Sequence, residues 1–322
     1  MSDRPLVIAV DHLIHPIGIE LLKEKFEVMH LPYEVTVDEV LEKGQECQAI
    51  FARRWRNPAE LFNGLPKLKI LVRHGVGYDA VDMKAATANG VAVCNNPQNS
   101  ITVAEHTWSL LMASTRRIIE ANASMQRGEW DQPGHKGMEL HGKTIGIIGL
   151  GRIGSLVSKM AKGFNMTVIA HDPYVQDNRF SELGVERVSR EDLIERSDII
   201  TLHCFLSDET QGMIDADAFA AMKDGAVFMN CSRGPVVDEP AMIDALKSGK
   251  LRCAGIDTME IEPLPAENDL RGVPNLIMTP HIAGFGEEVG MRSSEAGART
   301  IIEELEGRKP PHLLNPEAYD NR

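Results

Sequence analysis

Short runs rich in Val, Ile and Leu alternate along this chain with stretches whose apolar positions recur at helical spacing. In the first hundred residues LVIAV (6–10), EVMHL (27–31), QAIFA (48–52), KILVR (69–73) and VAVCN (91–95) predict strands. Gly18–Phe26 and Val37–Lys43 predict helices between them. A second series begins at TIGIIG (144–149) and continues with MTVIAH (166–171), DIITLH (198–203), AVFMN (226–230), CAGID (253–257) and LIMT (276–279). Such alternation predicts α/β architecture with parallel sheets, because parallel neighbours need a long crossover that a helix usually supplies.

Between the two series lies Val103–Ile119, apolar on most faces, which reads as a buried helix at a domain boundary. Another helical pattern covers Glu288–Leu305 and is followed by a proline-rich tail, KPPHLLNP. No repeat or low-complexity segment is evident.

Composition narrows the class. A chain of 322 residues accommodates two domains, and 43% apolar with 25% charged residues suits a soluble globular protein. A net charge of −13 argues against a general nucleic-acid binder, though an acidic surface can still hold a locally basic pocket. The five cysteines are scattered without a CxxC pair, which fits reduced thiols better than a disulfide framework or zinc site, so no metal is expected. The start, MSDRPLVIAV, has no basic segment ahead of a long apolar one, and no apolar run is long enough for a bilayer. A cytoplasmic protein without a membrane partner is therefore expected.

GLGRIG, Gly149 to Gly154, gives G-x-G-x-x-G between an apolar strand and a helical pattern. In that setting Gly149 permits the tight turn, Gly151 lets the backbone approach a pyrophosphate, and Gly154 allows close helix–strand packing. The helix N-terminus then offers N–H groups and a positive dipole end to the phosphates. The next strand ends in HDPY, placing Asp172 where a carboxylate can accept hydrogen bonds from a ribose and repel a 2′-phosphate. NAD is thus expected over NADP.

Three further strand-end segments carry polar residues where open α/β sheets take ligands. MNCSRGPVVDE (229–239) holds Arg233, GIDTMEIEPLP (255–265) holds Asp257 and Glu262, and LIMTPHIAG (276–284) presents His281 behind Pro280 at the end of a last core strand. Taken singly, Arg233 reads as a surface ion pair, Glu262 as a loop acid and His281 as a cap. Together they suit carbonyl reduction. A protonated His supplies the proton for the developing alkoxide, a carboxylate on its other nitrogen orients it, and an Arg holds and polarises an anionic substrate.

With these residues in hand, the chain resembles the D-isomer-specific 2-hydroxyacid dehydrogenase family over nearly its whole length. GLGRIG, LHCFLSDET, NCSRGPVVDE, GIDTMEIEPL and TPHIAG resemble that family's segments in its order, as do RHGVGYDAVD (73–82) and NPQNSITVAEHT (96–107). The resemblance implies Arg233, Glu262 and His281 as the catalytic set. It implies substrate-binding roles for the backbone of Val76 and Gly77 and for Ser100, with Ser100 and Val103 near the nicotinamide. Arg152 and Ile153 would touch the pyrophosphate and Asp172 the adenine ribose. Thr210, Cys231, Asp257 and Gly284 match other cofactor contacts. The implied fold has two doubly wound α/β domains, a Rossmann NAD-binding domain (101–289) inserted in a split flavodoxin-like substrate domain (1–100 and 290–322), with a cleft between them. Members are commonly homodimers.

Two places depart from the family pattern. Phe205 stands where proline is usual, and AGFG follows His281 in place of a small hydroxyl-bearing run, so Phe205, Phe285 and Gly286 are expected to reshape the cofactor walls. The most individual segment is FARRWRN, Phe51 to Asn57. It reads either as a solvated basic loop with an exposed Trp or as a source of arginines, Arg53, Arg54 or Arg56, for a second anionic group on the substrate. The expected activity is interconversion of a small D-2-hydroxy acid and its 2-oxo acid. Glyoxylate or hydroxypyruvate, 3-phosphoglycerate and bulkier or dicarboxylic acids are all open, and Glu262 disfavours formate. The reading from another class is an NAD(H)-sensing, corepressor-like binding protein on the same fold.

Overall fold

The computed structural model describes residues 4–322. They form two compact units: the chain up to Asn99 together with Phe285–Arg322, and Ser100–Gly284. The second unit interrupts the first in sequence.

The first unit is built on five parallel strands: β1 (Leu6–Val10), β2 (Glu27–Leu31), β3 (Cys47–Ala52), β4 (Ile70–Arg73) and β5 (Ala92–Cys94). Their order, β2-β1-β3-β4-β5, is the flavodoxin-like arrangement, with the switch point between β1 and β3. β1, β3, β4 and β5 are buried almost throughout. One face packs under Val40, Leu61, Phe62 and Leu65, the other against Ile19, Leu22, Ala298 and Ile301. Burial on both faces explains why these strands are nearly unbroken apolar runs rather than alternating ones. The helix Glu287–Leu305 returns the chain to this unit and seats Gly297 where a Cβ would stand 2.4 Å from the Phe51 ring.

The second unit has seven parallel strands: β6 (Thr144–Ile148), β7 (Thr167–His171), β8 (Glu186–Arg187), β9 (Ile199–Leu202), β10 (Ala226–Asn230), β11 (Leu251–Ile256) and β12 (Leu276–Met278). The order β12-β11-β10-β9-β6-β7-β8 is a Rossmann sheet with its switch point between β6 and β9. Val157, Ala161, Leu110 and Leu111 lie in the core on one face, and Leu193, Phe219, Met242 and Leu246 in that on the other. Each of these side chains larger than alanine contributes about 1.5–3 kcal/mol by leaving water.

Three sequence expectations change. The helix expected over Val103–Ile119 is two helices, Ser100–Arg116 and Ile118–Gln126, because Arg117 takes a left-handed conformation (φ 53°) that breaks the i→i−4 ladder. β12 is an edge strand, half-buried along its length, rather than a core strand: it pairs only with β11. β8, two exposed polar residues, carries no apolar pattern and was not foreseen. Among the described residues no helix is long and apolar enough to cross a membrane.

Candidate active site and cofactor cradle

The fingerprint loop leaves β6 at the switch point, and its three glycines are used for three different reasons. Gly149 has φ +92°, and a Cβ there would stand 2.7 Å from the His203–Cys204 peptide at the end of β9. A Cβ on Gly154 would stand 2.1 Å from the Gly149 carbonyl oxygen. Beside Gly151 there is only open space within 4 Å, and it caps the helix Arg152–Gly163 with no side chain closing the helix end. The uncapped N–H groups of the first turn, starting at Arg152 and Ile153, thus face an approach left clear by Gly151. That is the donor set and the room a dinucleotide pyrophosphate requires.

Asp172 follows β7. Its Oδ2 accepts from the Leu150 N–H at 2.8 Å, and Oδ1 accepts from Tyr174 at 2.9 Å and Val175 at 3.1 Å. The carboxylate therefore ties the fingerprint loop to the β7 turn and keeps lone pairs for ribose hydroxyls. Tyr174 and Phe205, both well exposed, face each other with ring centroids 6.1 Å apart. Thr210 closes the loop behind Phe205: its hydroxyl donates to the Phe205 carbonyl at 2.8 Å and accepts from the Ser207 N–H at 2.8 Å. The Phe205 departure thus places an aromatic ring against Tyr174, on the turn that carries Asp172.

The proposed reacting residues lie after β10, β11 and β12. Asn230, the last residue of β10, accepts from the Ser232 N–H and hydroxyl at 2.9 Å and donates to the Arg233 carbonyl at 2.9 Å, which shapes the turn presenting Arg233. The Arg233 guanidinium donates to the Ser232 carbonyl at 2.7 Å. Asp257, after β11, is fully buried. Its carboxylate accepts from the Thr279 hydroxyl at 2.6 Å and from the Ile282 and Ala283 N–H groups at 2.8 and 2.7 Å. Burial pushes this carboxyl up, but the bonds from His106, Thr279, Ala283 and Ile282 hold it below the ordinary range. The turn Asp257 holds is the one carrying His281, whose φ of 52° takes the backbone out of the extended strand conformation.

His281 Nδ1 lies 2.6 Å from Glu262 Oε2, with over a third of the His side chain exposed. An ionised carboxylate only accepts, so Nδ1 carries a proton and Nε2 is the nitrogen left for a substrate. Glu262 Oε1 accepts from the Met259 N–H at 3.0 Å. Burial pushes the Glu262 carboxyl up, and the His281 bond and charge, the Met259 N–H and the Arg233 charge together bring it below its usual value. Glu262 thus lies in the field of both His281 and Arg233.

Other expected site residues take varied positions. Ser100, Val103 and Cys231 are buried within the second unit, and Gly284 is half-buried at its end. In the first unit, Val76 and Gly77 follow β4 on a half-buried loop whose carbonyls are gripped by Asn95 Nδ2 at 3.0 Å and Arg73 Nε at 3.4 Å. Arg73, itself buried, also donates to the Trp55 carbonyl at 2.9 Å and to Asn57 Oδ1 at 3.2 Å. Trp55 is buried, with its indole N–H on the Val35 carbonyl, contrary to the reading of an exposed Trp. Arg54 and Arg56 are exposed, whereas Arg53 is drawn in at the β1/β3 switch point. Its guanidinium lies 3.5 Å from Asp11 and 4.6 Å from the centre of the Phe285 ring. Sequence reasoning missed Asn230 and Thr279, each of which fixes a turn, and only the segment NCSRGPVVDE hinted at the first.

Residues 108–283 match the family described as D-isomer specific 2-hydroxyacid dehydrogenase, NAD binding domain. The chain is 40% identical over 311 residues to a D-3-phosphoglycerate dehydrogenase of Methanocaldococcus jannaschii; the match covers 96% of this chain but only 59% of that relative's length. A glyoxylate reductase of Korarchaeum cryptofilum is 37% identical over 314 residues, covering 95% of this chain and 94% of that protein. Among solved structures, D-lactate dehydrogenase from Aquifex aeolicus, complexed with NAD and lactic acid, superimposes with a TM-score of 0.83 at 26% identity, covering 94% of this chain and 96% of that one. The Rossmann unit, with its glycine cradle, is therefore an NAD-binding domain, and the chain belongs to the D-isomer specific 2-hydroxyacid dehydrogenase family.

Proposed function

We propose that this protein is an NAD-dependent oxidoreductase that interconverts a small D-2-hydroxy acid and its 2-oxo acid. The observation that carries this reading is the His281–Glu262 bond at 2.6 Å, which leaves Nε2 to exchange a proton with a substrate oxygen. NADH, when bound, supplies the hydride that is added to the carbonyl carbon. As the C=O π pair moves onto oxygen, protonated His281 gives that oxygen its Nε2 proton, and the imidazole returns to its neutral form. Glu262 orients the ring and stabilises its charged form. Arg233 holds the substrate carboxylate and polarises the carbonyl by charge-assisted hydrogen bonds. In the oxidation direction His281 is the base.

Val76 and Gly77 are read as backbone donors to the substrate carboxylate, Ser100 and Val103 as nicotinamide neighbours, and Thr210, Cys231, Asp257 and Gly284 as cofactor-side positions. Arg53 is read as the group that meets a second anionic substituent. Its place at a switch point, where open α/β sheets take ligands, supports this. The relatives named for 3-phosphoglycerate and glyoxylate bracket the substrates to try first. Absorbance of NADH with a panel of 2-oxo acids tests the activity, and no oxidation with any of them despite tight NADH binding would favour a sensor instead. Arg53→Ala should raise KM about tenfold or more for doubly anionic substrates and spare glyoxylate; equal effects on both would remove Arg53 from the pocket.

A cytoplasmic homodimer is the proposed state. Ile118, Ile119 and Met125 on one short helix, and Trp130 beyond it, are all exposed, and exposed apolar surface is one mark of a partner interface. Light scattering of Ile118→Glu should show monomers where the parent shows dimers; a monomeric parent would overturn the proposal.

A further inference from the structure

The loop that carries Glu262, Thr258 to Glu262, has no regular structure, and two contacts from outside it bear on its backbone. Gly234, next to Arg233, is pressed on the loop so closely that a Cβ would stand 1.9 Å from the Met259 carbonyl carbon and 2.3 Å from the Glu260 nitrogen. Glu239 accepts from the Glu260 N–H at 2.5 Å. Glu239 is 8% exposed, and a buried acid needs a reason. Capping its own helix, Glu239–Lys247, is not that reason, since Asp238 does this by accepting from the Ala241 N–H at 2.9 Å.

We propose that Glu239 is a positioning residue for the His281–Glu262 pair, its buried carboxylate closing on the Glu260 N–H while Gly234 bears on the Met259 peptide. The two contacts act on adjacent residues, Met259 and Glu260. One comes from the turn that presents Arg233, the other from the first turn of the following helix. Glu262 is two residues further on, and its Oε1 bond to the Met259 N–H closes the loop on itself. The clamp therefore links the Arg233 turn to the Glu262 loop and sets where the carboxylate meets His281. Burial pushes the Glu239 carboxyl up, as do the charges of Glu260 and Glu262, and the Glu260 N–H opposes them. Neutral or ionised, Glu239 keeps an acceptor for that N–H, so the acceptor and its reach are what matter.

This inference rests on the assignment of His281 as acid and base, and three variants of the intact protein test it. Glu239→Asp keeps the charge but shortens the side chain, Glu239→Ala removes the acceptor, and Glu239→Gln keeps it. Asp and Ala should each lower kcat about tenfold or more, with KM for the 2-oxo acid changed less than about threefold. Both should also move the alkaline limb of the kcat profile to lower pH. That sign follows because a displaced Glu262 stabilises the protonated form of the pair less. Glu239→Gln should recover kcat to within about threefold of the parent. NADH Kd, read by fluorescence titration, should stay unchanged throughout. Parent-like kcat and profile in Glu239→Asp, failure of Gln to rescue, or an NADH Kd that weakens in step with kcat would each overturn the clamp. If Glu239→Ala does not fold, the Asp and Gln variants decide alone. His281→Gln separates the two ideas: full activity there sinks the acid–base assignment, whereas an inactive His281→Gln beside an unaffected Glu239→Asp sinks only the clamp.

Discussion

His281 turns its Nδ1 to Glu262 Oε2 at 2.6 Å. The pair is more than a third exposed on the His side and is reached from two separate strand ends. Replacing His281 by Gln keeps a donor near Glu262 but removes the titrating group. Turnover should fall by about a hundredfold to ten-thousandfold, the usual contribution of a placed acid–base, with NADH Kd within about twofold of the parent. Glu262→Gln should cost less, about ten- to a hundredfold. Steady-state kinetics with parallel fluorescence titrations check both, and near-parent turnover in His281→Gln would end the assignment.

The fingerprint glycines separate stability from binding. Gly151→Ala adds a methyl group where nothing lies within 4 Å, so the fold should be untouched while NADH binding weakens by about tenfold or more. Gly154→Ala forces a methyl group to 2.1 Å from the Gly149 carbonyl oxygen, so it should destabilise the second unit by about 1–3 kcal/mol. Urea unfolding and NADH titration of both variants would distinguish them. The idea fails if Gly151→Ala binds normally.

Asp172 has two duties that one substitution can expose. Asp172→Asn removes the charge that opposes a 2′-phosphate, so the ratio of NADPH to NADH affinity should rise about tenfold or more. It also weakens the acceptors for Leu150, Tyr174 and Val175, so NADH binding should loosen as well. Titrating both cofactors against the variant measures the ratio. An unchanged ratio would show that discrimination lies elsewhere.

Acid stability should depend on His74. Burial first, then the charge of Arg53, lowers its pKa to about 4 from an ordinary 6.5, and its Nε2 bonds the Ser294 hydroxyl at 2.8 Å. A histidine with a depressed folded pKa resists the proton that the unfolded chain accepts. The stability it contributes is therefore full above about 6.5 and is lost as pH falls from there towards 4. His203, lowered to about 3 by burial, adds a change of the same sign in the second unit. Urea unfolding between pH 7 and 4 should show stability falling by up to about 1.4 kcal/mol per pH unit per histidine. His74→Gln should flatten part of that slope, and an unchanged slope would exclude His74 as a source.

Much of the architecture was legible because parallel strands buried on both faces must be apolar throughout. LVIAV, TIGII and AVFMN could be little else, and β1, β6 and β10 begin where those runs begin. The glycine pattern was legible for a related reason: a turn with φ +92° and a helix packed on a carbonyl both exclude a Cβ, so the constraint is written in residue type. β8 was hidden because two exposed polar residues carry no such constraint. The break at Arg117 was hidden because a left-handed non-glycine residue leaves no mark in the sequence.

The same division holds at the site. Arg233, Glu262 and His281 were readable as candidates only as a set, an Arg, a carboxylate and a His at three consecutive strand ends, since each taken singly has an ordinary structural reading. Their mutual geometry was not, because it depends on contacts between residues far apart in the chain. Asp257 holds the turn of His281, Asn230 shapes that of Arg233, and Glu239 and Gly234 grip the loop of Glu262. FARRWRN shows the limit most plainly. The sequence supplied three arginines and a tryptophan, and only packing sorted them. Trp55 went into the core, Arg54 and Arg56 out to water, and Arg53 into place beside Asp11 at the switch point. Which arginine is drawn in follows from strand register and from the partner β1 supplies. Those are tertiary facts that no local pattern carries.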